Sequence, residues 1–205
     1  MKPILFSTPM VQAILEGRKS QTRRILKLDF LDGFNPEWSG YSPIIEYGKI
    51  FLEGSNHRDA TKQIKLPYGN IGSILWVRET WNLVYRGALG DKSDMYYIYA
   101  ADMSDYKDSY WYPSIHMPKE ACRLFLKITD LRAQRLQDIA EDDAKAEGAN
   151  WSDGKNVGWE EKMHRSAIDR FASIWDSINA KRGYGWEVNP WVLAITFERV
   201  EKPKD

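Results

Sequence analysis

The chain has 205 residues, 43% of them apolar and 28% charged, which is enough to bury a core without metals or disulfides. Its 29 basic and 29 acidic residues cancel, so no global field draws it onto a polyanion, and any nucleic-acid contact must come from a local patch. A single cysteine, Cys122, excludes an internal disulfide and fits a reducing compartment. With no charged–apolar–small leader and no apolar run of membrane-spanning length, a cytoplasmic protein without membrane contact is expected.

In chain order, Pro3 to Phe6 is a short apolar run suited to a buried strand. Thr8-Pro9 has the form of an N-cap followed by proline in the first turn, and Gly17 that of a C′ residue, predicting a helix over 9–16. Residues 29–70 lack sustained periodicity and predict an irregular excursion with a hairpin around Ile44 to Leu52; Trp38, Tyr41 and Tyr47 are candidate ligand contacts there. Strands are predicted at Ser73 to Arg78, Tyr96 to Ala100, Cys122 to Thr129 and Trp191 to Val200. Cys122, Leu124, Leu126 and Ile128 alternate onto one face, as do Leu193, Ile195 and Phe197. Helices are predicted over 138–147, with Asp138 as N-cap and Glu141 at capping-box spacing, and over 159–180. The latter carries a core stripe of Met163, Ala167, Phe171, Ile174, Trp175 and Ile178. An α+β fold follows, a small mixed barrel with flanking helices rather than a doubly wound sheet.

Several chemistries find no support. There is no Walker loop, GxGxxG, CxxC or GxSxG, and His57, His116 and His164 are scattered, so no metal and no cofactor is expected. Ser152 to Lys155 fits SxxK spacing, but lies in a Gly-rich stretch.

The densest chemical signal is GRKSQTRR, residues 17–24. Between Gly17 and Leu28 lie Arg18, Lys19, Arg23, Arg24 and Lys27, with no acid. Cations suit a helix C-terminus, where they meet exposed carbonyls. The same turn also suits catalysis: Lys19 and Thr22, three apart, are expected to meet across one turn. Burial and neighbouring cations lower a lysine's pKa until it can take a threonine's proton. The missing part is an acid.

Gly17-x-Lys19-x-x-Thr22-x-Arg24 resembles the GxKxxExR signature of ASCH-domain proteins, whose fold is a PUA-like β-barrel. PYGNIGSILWVRETW (67–81), IHMPKEACRLFLKI and NPWVLAITFERV resemble strands of larger phage- and prophage-encoded members. The resemblance implies a single domain over 1–205 with insertions at 29–66 and 82–110. Thr22 replaces the usual acid, as in a bacterial subgroup of N4-acetylcytidine amidohydrolases. That subgroup implies catalytic roles for Lys19, Thr22 and a helical glutamate. The glutamate is placed at Glu147 in EDDAKAEG, with Glu141, Asp142 and Asp143 close by.

Arg24, Tyr68, Trp76, Arg78, Glu79 and Trp81 are the candidate substrate contacts, Arg78 and Glu79 also fitting a mutual ion pair. The expected partner is a modified nucleoside or RNA. Rival readings are a non-catalytic RNA or modified-base binder, a ribonuclease using Lys19, Arg24 and Glu147, and a host-interaction role in phage biology.

Overall fold

A computed structural model describes residues 1–27, 42–46, 49–53, 58–85, 95–103, 110–149 and 166–203, with the side chains of 52–65 excepted. Trp38, Tyr41, Tyr47, His57, Ser152 to Lys155, Met163, His164 and residues 159–165 lie outside these.

The apolar run at the N-terminus forms β1 (Lys2–Leu5), and α1 spans Thr8–Leu15. Its N-cap is Ser7 rather than Thr8, which is already helical, and the Ser7 side chain makes no capping bond. Gly17, at φ 75°, turns the chain out of the helix, the left-handed conformation expected of it. The basic segment then extends into β2 (Gln21–Ile25) instead of closing a helical turn. A tertiary pairing overrides the local signal here, because β2 lies antiparallel to the C-terminal strand, with Thr22 opposite Ile195.

The expected hairpin is present as β3 (Ser42–Glu46) and β4 (Lys49–Glu53). A third antiparallel strand, β5 (Arg58–Lys65), which the polar sequence did not announce, completes a small meander. The strand β6 (Ile74–Arg78) is followed by β7 (Trp81–Tyr85) and β8 (Met95–Tyr99), which pair with each other. The strand β9 (Phe125–Arg135) runs past the expected end at Thr129, and β10 (Trp191–Val200) matches its expected bounds.

The main sheet has the order β1-β6-β9-β10-β2, with β1 parallel to β6 and the other pairs antiparallel. It curls strongly. Arg24 of edge strand β2 reaches edge strand β1, its Nη2 donating to the Leu5 carbonyl at 2.7 Å. The ladder itself does not close into a barrel among the described residues.

The concave face holds the larger core, where Ile4, Leu75, Leu126, Leu193 and Ile195 meet Val11 and Ile14 of α1. The convex face is covered by α2 (Glu141–Ala146) and α3 (Ala167–Asn179). Leu136, Ile139, Phe171, Trp175 and Val192 form that second core. The mixture of strands and a few helices is an α+β fold.

Two capping expectations are corrected. The N-cap of α2 is Ala140, while Asp138 ends a short 3-10 turn and accepts from the Arg135 N–H. Glu141 instead serves α3, accepting from the Ala167 N–H at 2.8 Å. No described helix is long and apolar enough to cross a membrane, and no described His, Cys, Asp and Glu side chains group as a metal site.

Candidate active site

Because β2 is an edge strand, something must cover its free side. The end of α2 does so. The Ser20 N–H donates to the Ala146 carbonyl at 2.8 Å, and Lys19 and Glu147 form an isolated antiparallel bridge. Gly148 permits this approach. It sits at φ 88°, and a Cβ there would lie 3.3 Å from the Ala13 Cβ and 3.5 Å from the Lys19 Cβ.

Alternation along β2 sends Thr22 and Arg24 to the concave face, opposite Ile195 and Leu193, and Gln21 and Arg23 to the convex one. Glu147, at the strand's edge, serves both sides. Its Oε2 accepts from Lys19 Nζ at 2.7 Å, and its Oε1 accepts from Arg23 Nη1 at 3.1 Å. Lys19 Nζ also donates to the Glu147 carbonyl oxygen at 2.7 Å. The Lys19 and Arg23 side chains are fully buried, and that of Glu147 is 6% exposed.

Arg23 continues to Asp143 through Nη2 at 3.0 Å, and Gln21 donates to the same carboxylate at 2.8 Å. Lys19 and Arg24 share the Phe6 ring, at 5.7 and 5.1 Å from its centroid. The amine therefore lies on the side of β2 that carries the Thr22 hydroxyl.

The electrostatics follow from burial. Desolvation pushes the Lys19 amine below the usual lysine range; Glu147 opposes this, and the charges of Arg24 and Arg23 add to it. Burial likewise lowers Arg24, partly offset by Tyr68 and Glu147. For Asp143, desolvation acts upward, but the Gln21 hydrogen bond and the charges of Arg132 and Arg23 outweigh it and hold the carboxyl below its ordinary value.

A cavity of about 470 Å³ opens over this cluster. Thr22, Arg24 and Glu147 line it, with Tyr68 on one wall and Phe171 and Trp175 on another. Lys19 lies behind Glu147 and not in the wall. Of the sequence candidates, Lys19, Thr22, Glu147, Arg24 and Tyr68 are thus brought together.

The others lie elsewhere. Arg78 stacks on Trp76 at 5.4 Å and donates to the Ile115 carbonyl. Glu79 does not pair with Arg78; it is gripped by Arg123, through Nε and Nη2 at 2.9 Å each. Trp81 stacks on Tyr112 at 5.0 Å.

Sequence reasoning missed the roles of Arg23, Asp143 and Gln21, because cross-strand partners are invisible until the register is known. It also assigned the α3 stripe wholly to core. Phe171 and Trp175 are core, but with Ile174 and Ile178 they also form the cavity wall. The polar residues Asn179 and Arg182, following the stripe, were the available signal.

No family model and no curated protein matches the sequence. The chain is similar over 100% of its length, and over 84% of the other chain, to the crystal structure of protein EF3133 from Enterococcus faecalis V583, of the family DUF984. At 12% identity and a TM-score of 0.41, that likeness is too slight to carry an inference about fold or activity.

Proposed function

We propose that this protein is an amidohydrolase that removes an acyl group from a modified cytidine of the N4-acetylcytidine type, within a single ASCH-like domain. One observation supports the reading: a buried amine of lowered pKa is bonded to a carboxylate that, together with Thr22, lines a ligand-sized cavity. The nature of the acyl-bearing base comes from the resemblance of the GxKxxTxR motif.

In this mechanism neutral Lys19 takes the proton from the Thr22 hydroxyl as Oγ bonds to the acyl carbon. The carbonyl π pair moves to oxygen, and Arg24 holds the resulting oxyanion. Collapse breaks the carbon–nitrogen bond, and the leaving nitrogen takes the proton that Lys19 had accepted. Water then attacks the acyl-threonine ester with Lys19 again as base, releasing a carboxylic acid and restoring the hydroxyl. Glu147 positions the amine, and Arg23 fixes Glu147 from the other side. The arginines also disfavour a second positive charge, which keeps Lys19 available as a base.

Incubation with N4-acetylcytidine tests the reading. Release of equimolar acetate and cytidine is expected. Saturable binding without any product would replace it with the binding-module reading, for which the aromatic walls suffice.

A further inference from the structure

The α3 wall of the cavity carries a buried polar side chain that the proposed mechanism does not use. Phe171, Trp175 and Asn179 follow one another at four-residue spacing, so they share one face of α3. Phe171 and Trp175 are buried aromatic residues, and the same periodicity puts an amide where a third apolar residue would pack. Asn179 is only 6% exposed, yet it lines the cavity beside Trp175 and Ile178. Of the buried polar residues that line the cavity, Thr22 and Arg23 belong to β2; among the described residues, Asn179 alone comes from another element.

Its partners fix its orientation. A carbonyl only accepts and a guanidinium only donates. Nδ2 therefore gives a hydrogen to the Trp175 carbonyl at 3.2 Å, and Oδ1 accepts from Arg182 Nη1 at 3.3 Å. A carboxamide has two donor hydrogens and two acceptor lone pairs. One Nδ2 hydrogen and one Oδ1 lone pair are left without a partner among the described residues. An amide shut away from water and half satisfied carries a desolvation cost that a matching ligand group removes.

The rest of the cavity says which group that is. Thr22 and Arg24 take the amide end of the substrate, and Tyr68, Phe171 and Trp175 offer aromatic surface to a flat ring. An N4-acylcytosine presents two acceptors along its edge, N3 and the 2-oxo oxygen. N3 adjoins the carbon that bears the reacting nitrogen, whereas the 2-oxo oxygen lies farther from it.

We infer that Asn179 is a specificity residue whose free Nδ2 hydrogen donates to the 2-oxo oxygen of the bound pyrimidine. Arg182 and the Trp175 carbonyl hold the amide in that orientation. The identity of the ring rests on the proposed function; the donor rests on the bonds and burial of Asn179.

Titration calorimetry on the full chain tests this with N4-acetylcytosine and 4-acetamidopyrimidine, which keeps the pyrimidine ring and the amide but has no 2-oxo group. The titrations use the Thr22→Val protein, so that the amide is not consumed. N4-acetylcytosine should bind about tenfold more tightly. Asn179→Leu, close to asparagine in shape, should erase that margin and leave the affinity for 4-acetamidopyrimidine unchanged. Asn179→Asp keeps the acceptor for Arg182 and removes the donor; it should erase the margin as well, and it covers the case in which leucine disturbs the helix end.

Equal affinities for the two ligands, including no binding of either, overturn the inference, as does a margin that survives both substitutions. A loss that is the same for both ligands also overturns it, being the mark of a merely structural asparagine. Binding is read apart from turnover. If the margin stands but the parent chain releases no acetate from N4-acetylcytosine, the proposed reaction is lost and Asn179 remains the residue that reads the ring.

Discussion

Two clusters in this molecule are made of the same parts. In one, Glu147 is held by Lys19 and Arg23; in the other, Glu79 is held by Arg123, which also pairs with Asp102 and lies 3.9 Å over the Tyr99 ring. Both carboxylates are buried, Glu79 more deeply at 1% exposure. Burial raises the Glu79 carboxyl, and the hydrogen bond and charge of Arg123 pull it back. What separates the clusters is what lies beside them. Glu79 is packed against Met117 and Cys122 and does not itself line the cavity that Glu147 faces. Glu147 faces a cavity, next to a threonine and an amine with lowered proton affinity. Perturbed ionisation marks both, so it does not by itself identify a site of chemistry; adjacent space and a nucleophile do.

The largest expected effect breaks both clusters alike in stability and only one in activity. Glu147→Gln and Arg123→Met each leave a buried charge without its partner and should cost about 3–5 kcal/mol, read by urea denaturation. Only Glu147→Gln should also abolish amide hydrolysis in the molecules that remain folded. An equal loss of specific activity in Arg123→Met would erase the distinction.

Gly148→Ala sharpens the comparison at the backbone. It forces a left-handed residue against Ala13 and Lys19, and should destabilise by about 2 kcal/mol while displacing Glu147. Its kcat should fall more than its stability alone explains.

The smallest effect concerns pH. The Asp143 carboxyl is held below its ordinary value when folded, so its stabilisation is present above the unfolded carboxylate pKa and lost as pH falls through the folded one. Asp143→Asn should therefore be about 1.5 kcal/mol less stable than the parent at pH 7, with the gap closing in acid. Activity has the opposite origin: kcat/KM should rise with pH as Lys19 loses its proton, with a midpoint below the usual lysine range.

Much of the frame was legible because one-dimensional patterns report it. Leu193, Ile195 and Phe197 alternate onto a buried face, and Pro9 and Gly17 bracket a helix. The conformation of the Lys19-to-Thr22 segment was not legible. Five clustered cations with a glycine look like a helix end, and only pairing with β10, where Thr22 lies opposite Ile195, turns Gln21–Ile25 into a strand. The same pairing brings Arg24 to the concave face and Arg23 to the convex one. Glu147 was placed by resemblance to a motif; its bonds to Lys19 and Arg23 depend on a three-dimensional approach that no periodicity encodes.

The account turns on the hydroxyl at position 22, and the most direct test compares Thr22→Val with Thr22→Ser. Valine keeps the shape and removes the nucleophile, while serine keeps the nucleophile and removes a methyl. Acetate release from N4-acetylcytidine should fall to the uncatalysed rate in Thr22→Val and persist in Thr22→Ser, with both proteins folded. Turnover by Thr22→Val at the parental rate would contradict the account.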